Sequence, residues 1–459
     1  KSRSFMTHTS APPAPATFAP FGPLRGTVRV PGDKSISHRS LMLAALAIGE
    51  SRVSGLLEGE DVLATAAAMR AMGAQIIQPS GDTPDRIWSI HGVGVGGLAQ
   101  PSTALDMGNS GTSTRLLMGL VSSHPITATF IGDASLSKRP MGRVIEPLSL
   151  MGATFTASPG AKNGQTLPLM VRGNCPAIPL RYRLPVASAQ VKSAILLAGL
   201  NASGITEIIE PVPTRDHSER MLRGFGANLT VEIDGDGTRI IRLHGEAELK
   251  PQKIEVPGDP SSAAFPIVAA LITPGSEVRV TNVGMNPTRA GIFQMLLEMG
   301  ADLTFENERE VGGEPVADII ARHSALTGIN VPPEVAPSMI DEYPIFFIAA
   351  AMANGVTRAH GLDELRVKES DRLAIMAGGL ARLGVHLDER EDSISITGSG
   401  GEPLAGGNNV VLIHAELDHR IAMSFAIAGL NTRGGLTVDD MSPVATSFPA
   451  FQSMLSDLL

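Results

Sequence analysis

Six stretches of the chain are apolar on every side over their central helical turns, and each follows a short polar turn. A helix without a polar face is typical of a protein interior, because no side of it is suited to water. The pattern therefore predicts six buried helices. Their sequences are SLMLAALA, RLLMGLV, SAILLAGL, AAFPIVAALI, IFFIAAAM and IAMSFAIAGL.

A second set of helices alternates with the first and carries a charged side, as in DVLATAAAMRAMGA and SERMLRGFGA. A charged side predicts a position on the outside of the protein. These helices close on a glycine, which adopts a left-handed C-terminal cap at little steric cost. The closing tripeptides recur at glycine intervals of 79, 74, 74 and 84 residues: Met72-Gly73-Ala74, Met151-Gly152-Ala153, Phe225-Gly226-Ala227, Met299-Gly300-Ala301 and Leu383-Gly384-Val385.

This recurrence predicts six repeated units, each with a buried helix, a strand and an outer helix, and the first five continue with the glycine and a further strand. One such unit cannot close a core by itself, so the units must cluster. The chain has 459 residues, of which 43% are hydrophobic. By length alone it should form about two or three domains, and six units divide naturally into two groups of three.

The run VPGDKS, which contains Lys34, returns 226 positions later as VPGDPS, beginning at Val256. The second copy has lost the lysine. Duplicated scaffolds keep in every copy what packing needs, whereas chemistry needs its charged groups in only some copies. Lys34 is therefore a candidate for function, and Asp33, which the second copy keeps as Asp259, is assigned mainly to the structure of the turn.

Composition excludes several functional classes. A net charge of −9 disfavours a general nucleic-acid binder, which needs a broad basic surface. The single cysteine, Cys175, and the absence of HExxH-type spacing predict neither a disulfide nor a metal site. No apolar run approaches the ~18 residues of a membrane helix, so we expect a soluble protein with no membrane partner. Residues 1–23, rich in Pro and Ala, are predicted to be a disordered leader.

Polar and charged residues occupy the starts of the buried helices. Helix N-termini offer free amide donors and a positive dipole end, which favour phosphate and carboxylate ligands. Only the fourth helix start has no side chain that suggests binding or catalysis, and its polar residues are expected only to cap the helix. The six sets are Lys34, Ser35, His38 and Arg39; Asn109, Gly111, Thr112 and Arg115; Ser188, Ala189, Gln190 and Lys192; Asp259 and Ser261; Asp341 and Glu342; and Asp418, His419 and Arg420.

The outer helices begin with cations at equivalent places of four units, which a symmetric scaffold could direct into one cleft. Guanidinium groups bind phosphates and carboxylates in a bidentate manner. These cations are Lys138 with Arg139, Arg215, Arg289, and Lys368 with Arg372.

Two carboxylates are candidates for acid–base chemistry. Asp341 begins an otherwise apolar helix, and Glu369 lies between Lys368 and Arg372. Positive neighbours should hold both groups ionised near neutral pH. The alternative for Glu369 is that it only neutralises its basic neighbours.

Nine motifs in order resemble the 5-enolpyruvylshikimate-3-phosphate synthase family over the whole chain beyond the leader, and four of them resemble its class II branch. The motifs are PGDKSISHRS, GNSGTSTR, GDASLSKRPMGR, SAQVKSA, TRDHSE, NPTR, DEYPI, RVKESDR and LDHRIAMS. The resemblance implies an inside-out α/β fold of two domains, each with three βαβαββ units and buried parallel helices. It places residues 32–255 in one domain, residues 24–31 and 256–459 in the other, and a hinge near 30–32 and 255–258.

The resemblance also implies the reaction, in which the enolpyruvyl group of phosphoenolpyruvate is transferred to the 5-hydroxyl of shikimate 3-phosphate and phosphate is released. No cofactor is implied. Shikimate 3-phosphate would be bound by Lys34, Ser35, Arg39, Ser188, Ala189, Gln190, Arg215, Asp341 and Lys368. Phosphoenolpyruvate would be bound by Lys34, Gly111, Arg139, Gln190, Arg372 and Arg420.

The implied chemistry passes through a tetrahedral intermediate and needs acid–base groups on two sides of it. Asp341 is assigned to the hydroxyl side, Glu369 to the C3 side of the enolpyruvyl group, and Lys34 to the leaving phosphate. We further expect domain closure on substrate binding, competitive inhibition by glyphosate, a monomer and a cytoplasmic location. Gly111 stands where tolerant class II members often have alanine, which predicts glyphosate sensitivity, whereas the class II motifs predict tolerance.

Two alternatives stay open at this stage. The sister family transfers enolpyruvate to UDP-N-acetylglucosamine, but it typically carries a cysteine in the loop that corresponds to residues 132–140, where this chain has none. The other alternative is a repeat scaffold that binds phosphorylated metabolites without catalysis. The chain also has Thr446 where the commoner class I enzymes carry a lysine near the last loop, so phosphate binding must differ there.

Overall fold

The six-fold repeat organises the structure, a computed structural model that describes residues 13–79, 86–159, 165–406 and 410–459. Each unit has one helix enclosed by the core, and the helices Pro260–Ile272 and Tyr343–Met352 are buried along their entire lengths. This confirms the prediction from the apolar stretches. The six enclosed helices are α1 Lys34–Leu46, α3 Gly111–Ser122, α5 Ala189–Gly199, α7 Pro260–Ile272, α10 Tyr343–Met352 and α12 His419–Gly429.

The outer helices follow in each unit and keep an exposed side, as their charge pattern predicts. A short helix, α9 Ala336–Met339, precedes α10. The six outer helices are α2 Glu60–Ala71, α4 Gly142–Leu150, α6 His217–Gly224, α8 Gly291–Glu298, α11 Arg372–Arg382 and α13 Phe451–Leu458.

Each unit also has a small sheet, in which the first two strands are parallel and the others antiparallel in units one to five. In hydrogen-bonded order, the sheets of units one to three are β14 Lys253–Glu255, β3 Ile48–Ser54, β5 Ile87–Val93, β4 Gln75–Ile77; β6 Leu105–Asp106, β7 Thr127–Ile131, β9 Gln165–Arg172, β8 Thr154–Pro159; and β10 Arg181–Arg183, β11 Ile205–Glu210, β13 Arg239–His244, β12 Leu229–Ile233. Those of units four to six are β2 Arg25–Arg29, β15 Glu277–Gly284, β17 Glu314–Arg322, β16 Asp302–Val311; β18 Asn330–Val331, β19 Val356–His360, β21 Ser393–Thr397, β20 His386–Glu389; and β1 Ala16–Phe18, β23 Leu436–Val438, β22 Val411–Ile413.

Two strands are exchanged between the two halves of the chain, which are units one to three and units four to six. Strand β2, which precedes unit one, pairs in parallel with β15 of unit four, and β14, which precedes unit four, pairs in parallel with β3 of unit one. The chain therefore passes between the halves twice. The two segments that pass between the halves, one directly after β2 and one directly after β14, are called the passing segments. They bond to each other through a bridge between Gly32 and Gly258. A Cβ at Gly32 would lie 2.0 Å from the carbonyl oxygen of Gly55, so only glycine fits there.

Within the described ranges, the apolar core consists of two clusters. One is formed by residues between Ile36 and Val256, and the other by Leu24, Val30 and residues between Ala263 and Leu458. Burial of apolar surface is the main stabilising term in each. The residue-level domain boundaries and the hinge stay predictions.

The predicted disordered leader is wrong for part of its length. Residues 1–12 lie outside the described residues, but Ala16–Phe18 forms an antiparallel pair with β23, and the Ala14 amide donates to Asp440 Oδ1 at 3.0 Å. Phe18 also packs against the core. Backbone pairing at a sheet edge needs no hydrophobic periodicity, so the sequence pattern did not reveal it.

Across the described ranges, no single helix is long and apolar enough to cross a bilayer. One sharply bent pair, Pro333–Met339 with Tyr343–Met352, meets the length and composition criteria only when its parts are joined. Its second part is the buried helix α10.

Candidate active site

Charged side chains from both halves of the chain meet at the starts of the enclosed helices. Arg215, just before α6, donates from Nη2 to Asp341 Oδ2 at 2.6 Å, although the two residues are 126 positions apart. Asp341 lies just before α10. The two side chains are 21% and 15% exposed, so the pair lies in a partly desolvated gap, where charge–charge interactions are stronger than in water.

Asp341 is the centre of a group of cations. Arg372 Nη1 donates to its Oδ1 at 3.2 Å, Lys368 Nζ lies 3.9 Å from the same oxygen, and Arg420 Nη1 donates to its backbone oxygen at 3.3 Å. Burial by itself would raise the pKa of Asp341, but Lys368, Arg215, Arg420 and Arg372 hold it well below its usual range. The predicted ionised state agrees with this environment.

Arg372 is 1% exposed and contacts two further carboxylates. Its Nη2 lies 2.6 Å from Glu369 Oε2, and its Nε donates to Asp418 Oδ2 at 2.8 Å. Asp418 caps α12 by accepting from the Arg420 amide at 2.9 Å. Burial would raise the pKa of Glu369, but the positive charges of Arg372 and Arg139 outweigh it and lower the pKa. Arg139 belongs to unit two, so positive charge from the other half of the chain contributes to this lowering of the Glu369 pKa.

Lys34, in the first turn of α1, forms an ion pair with Asp61, which is buried at the start of α2. Asp61 was missed by the sequence analysis. Its position at the start of an outer helix is where four other units carry cations, and that contrast could have identified it. Burial, with contributions from Arg420 and Lys34, lowers the pKa of His419 to about 4, so this imidazole is neutral at pH 7.

The starts of α3 and α5 are joined by Arg115. Its Nη1 donates to Gln190 Oε1 at 3.0 Å and to the backbone oxygen of Gly111 at 3.3 Å. Gln190 Nε2 in turn donates to Thr112 Oγ1 at 3.2 Å. Burial is the main cause that lowers the pKa of Arg115, and the positive charges of Arg143 and Arg139 add to it.

Three predicted binding residues occupy helix starts beside these groups. Ser188 caps α5, accepting from the Val191 amide at 3.4 Å, Ala189 is the first residue of α5, and Ser35 lies in the first turn of α1. Their predicted roles toward shikimate 3-phosphate are not tested by these contacts.

Arg39 is buried, and three of its donors contact the protein itself. Nε and Nη2 donate to Ser218 Oγ and Ser193 Oγ, each at 2.8 Å, and Nη1 donates to the Ser35 oxygen at 3.0 Å. A guanidinium has five N–H groups, and these contacts use three of them.

Arg289 departs from the arrangement predicted for the outer-helix cations. Arg139, Arg215 and Arg372 belong to the site described above, but Arg289 is 2% exposed and pairs with Asp33 at 3.2 Å and Asp259 at 3.0 Å, beside the passing segments. The expectation that all four loop cations face one cleft is therefore wrong for Arg289. Nothing in the sequence distinguishes Arg289 from the other loop arginines, because its partners Asp33 and Asp259 approach it only in the folded protein.

A family model described as EPSP synthase (3-phosphoshikimate 1-carboxyvinyltransferase) matches residues 19–455. The chain belongs to the EPSP synthase family. Among its relatives is a 3-phosphoshikimate 1-carboxyvinyltransferase of Sphingopyxis alaskensis, 67% identical over 453 residues, which cover 99% of this chain and 100% of the relative. One of Zymomonas mobilis is 66% identical over 436 residues, 95% of this chain and 94% of the relative.

Solved structures agree with the family assignment. An EPSP synthase from Acinetobacter baumannii has a TM-score of 0.85 and 48% identity, and the match covers 96% of this chain and 97% of that one. The enolpyruvyl transferase NikO from Streptomyces tendae has a TM-score of 0.73 at 19% identity, over 97% and 98% of the two chains, which shows a shared fold alone.

Membership of the EPSP synthase family confirms the resemblance and the two-domain inside-out fold predicted from it. The role of each site residue stays a prediction. Among the described residues, no group of three or more His, Cys, Asp or Glu side chains has an arrangement that could hold a metal ion.

Proposed function

We propose that this protein transfers the enolpyruvyl group of phosphoenolpyruvate to the 5-hydroxyl of shikimate 3-phosphate and releases phosphate. The observation that supports this most directly is the group of four cations around the ionised Asp341, contributed by units three, five and six, in a member of the EPSP synthase family. Both substrates carry a phosphate and a carboxylate, so a site made of guanidinium and ammonium groups suits them.

In this proposal, shikimate 3-phosphate lies against the starts of α1, α5 and α6. Arg215 and the α5 amides hold its phosphate, and Arg39 lies on the ring carboxylate side. Because Arg215 pairs with Asp341 at 2.6 Å, the incoming phosphate competes with Asp341 for this guanidinium. The residues proposed to bind this substrate are Lys34, Ser35, Arg39, Ser188, Ala189, Gln190, Arg215, Asp341 and Lys368.

Phosphoenolpyruvate is proposed to lie between the halves, against cations from α1, α11, α12 and the loop before α4. Arg372 and Arg420 are held in place by Asp418 and the Asp341 backbone. Arg139 is held by Asn109, whose Oδ1 accepts from its Nη2 at 2.7 Å. The residues proposed to bind this substrate are Lys34, Gly111, Arg139, Gln190, Arg372 and Arg420.

The reaction then proceeds in two steps. In the addition, Asp341 accepts the proton of the 5-hydroxyl, the oxygen bonds to C2 of phosphoenolpyruvate, and Glu369 delivers a proton to C3. In the elimination, C3 returns a proton to Glu369 as the bond from C2 to the phosphate oxygen breaks. Lys34 neutralises the departing phosphate, and the proton that Asp341 took from the hydroxyl leaves with that phosphate. The cations stabilise the charge that moves during both steps.

The depressed pKa values of Asp341 and Glu369 are compatible with these roles once the substrates are bound. Each phosphate and carboxylate offsets part of the positive charge on Arg215, Arg372 and Arg139. Less positive charge means a higher carboxyl pKa, so Glu369 can carry the proton that C3 needs. The same reduction of positive charge raises the pKa of Asp341 and makes it a stronger base.

Phosphate release tests the function directly. We expect the protein to release phosphate from phosphoenolpyruvate with shikimate 3-phosphate and not with UDP-N-acetylglucosamine, when the two acceptors are offered in parallel. Release with the nucleotide sugar alone would favour the sister reaction, and release with neither would favour a non-catalytic scaffold.

We also propose that the halves close further on the substrates, because the proposed ligands come from both of them. Small-angle scattering should show a smaller radius of gyration on addition of shikimate 3-phosphate than on addition of free phosphate as the control. No compaction would contradict closure.

A monomer is part of this proposal, since one chain supplies every site residue, and light scattering would test it. The cytoplasmic location stays a prediction.

Glyphosate is proposed to inhibit by competing with phosphoenolpyruvate, with Gly111 leaving room for it. A Cβ at Gly111 would lie 2.8 Å from Arg115 Nη1 and 3.2 Å from Arg139 Nη1, so Gly111→Ala crowds both guanidinium groups. We expect Gly111→Ala to raise the glyphosate concentration for half inhibition on the order of 10-fold or more, since one methyl group discriminates by that much.

The matched control is Gly142→Ala, which places its methyl group in open space at the start of α4. It should leave inhibition unchanged. Equal inhibition of the Gly111→Ala variant and the unaltered protein would show that Gly111 does not set sensitivity.

A further inference from the structure

The two passing segments are held in a symmetrical arrangement. The Asp33 amide donates to the Pro257 oxygen at 2.7 Å, and the Asp259 amide donates to the Pro31 oxygen at 2.9 Å. Each aspartate also caps the enclosed helix that follows it. Asp33 accepts from the Ile36 amide at 2.9 Å and Asp259 from the Ser261 amide at 2.8 Å. The equivalence ends at the next residue, because Asp33 precedes Lys34 whereas Asp259 precedes a proline.

One buried guanidinium joins both caps. Arg289 Nη1 donates to Asp33 Oδ2 at 3.2 Å, and its Nη2 donates to Asp259 Oδ1 at 3.0 Å and to Ser261 Oγ at 2.7 Å. Its side chain is 3% exposed, so these contacts are shielded from water. Burial alone would lower the pKa of Arg289, but Asp33, Asp259 and Glu342 raise it, and the group stays charged.

The same guanidinium reaches the residue that follows Asp341. Ser261 Oγ, which accepts from Arg289, donates to Glu342 Oε1, and Arg289 Nη2 itself lies 3.7 Å from that oxygen. Glu342 is 1% exposed, so breaking this contact would leave a buried carboxyl group without the compensation of Ser261 and Arg289, which is energetically costly. Arg289 is thus linked to the residue before Lys34 and to the residue after Asp341.

We propose that Arg289 is a positioning residue that sets the distance between Lys34 and Asp341 across the two halves. This inference rests on the proposed function, in which both residues act on the same adduct. Displacing a reacting group by about 1 Å can cost about 10²-fold in rate, so a rigid link between the two is useful to catalysis. Arg289 touches neither substrate in this proposal and acts only through its neighbours.

The aspartates at the two passing segments provide a matched pair of variants. Asn caps a helix as well as Asp does, so Asp33→Asn and Asp259→Asn both keep their caps and both remove one charged partner of Arg289. Only Asp33 precedes a site residue. We expect Asp33→Asn to lower kcat at least 10-fold, and Asp259→Asn to stay within about 3-fold of the unaltered protein, at similar unfolding midpoints.

A double-mutant cycle with Arg289→Lys identifies the path of the effect. Lysine keeps the charge but has a single point of contact, so it cannot hold both caps. We expect Arg289→Lys to lower kcat on the order of 10²-fold, with the dissociation constant for shikimate 3-phosphate within about 3-fold. The double variant Asp33→Asn/Arg289→Lys should be no slower than Arg289→Lys alone, because both changes break one link.

The inference is overturned if the two aspartate variants lose kcat equally, or if the effects of Asp33→Asn and Arg289→Lys multiply. It is also overturned if Arg289→Lys weakens shikimate 3-phosphate binding as much as it lowers kcat, since that is expected of a purely structural residue. Should Arg289→Lys fail to fold, Ser261→Ala interrupts the path to Glu342 and should lower kcat without changing that dissociation constant. Absence of phosphate release from the unaltered protein would contradict the proposed function instead.

Discussion

Asp341→Asn should lower kcat about 10³-fold, the effect expected when a positioned general base is removed. The amide has nearly the shape of the carboxylate but cannot take the proton of the 5-hydroxyl. Phosphate release at saturating concentrations of both substrates measures this. Retention of more than a tenth of kcat would show that another group accepts the proton.

Binding should change differently from turnover in the same variant. Asp341 holds Arg215 at 2.6 Å, and a neutral amide competes less strongly with the substrate phosphate for that guanidinium. We therefore expect shikimate 3-phosphate to bind as tightly as before or more tightly, as titration calorimetry would show. Asp302→Asn is the matched control, since this exposed carboxylate pairs with Arg322 away from the site. Its kcat should be unchanged.

Arg372→Met should be the most destabilising of the site substitutions. The side chain is 1% exposed and faces Asp341, Glu369 and Asp418, and its removal leaves three carboxylates with less compensating charge. Breaking a buried ion pair in this way costs about 3–5 kcal/mol. We expect the free energy of unfolding, measured by urea titration, to fall by about that amount.

The control for this substitution is Arg322→Met. Arg322 also bridges two carboxylates, at 2.7 Å from Glu277 and 3.5 Å from Asp302, but its side chain is 37% exposed. Surface pairs contribute about 0–1 kcal/mol, so the loss should be small. If both variants lost the same free energy of unfolding, burial would not be what makes Arg372 important. Phosphoenolpyruvate binding should be lost only in Arg372→Met.

Much of the fold could be predicted because its pattern is local. An enclosed helix needs apolar residues on all sides, as in α7 and α10. An outer helix that turns directly into a strand needs, at its end, a residue able to adopt positive φ. Gly73, Gly152, Gly226, Gly300 and Gly384 all have positive φ, from 78° to 103°. The apolar helix recurs in all six units and the closing glycine in the first five, so both can be counted along the chain.

Two contacts, one in the site and one at a sheet edge, could not be predicted in the same way. Asp61 resembles an ordinary acidic residue in the first turn of a helix, and only the packing of α2 beside α1 places it against Lys34. The pairing of β1 with β23 joins residues more than 400 positions apart and depends on an open sheet edge in unit six. Neither contact leaves a periodic signal.

The amino-acid sequence by itself determined the number of units, the burial of one helix in each, and the ionisable residues at the helix starts, since these follow from side-chain polarity over a few turns. Only the tertiary structure decided which starts meet. The fold places Arg215 against Asp341. It places Arg289 away from the site, where this side chain pairs with Asp33 and Asp259. The physical reason is that partners for a buried charge are chosen by the close approach of distant segments, which depends on how the units pack and not on spacing within any one of them.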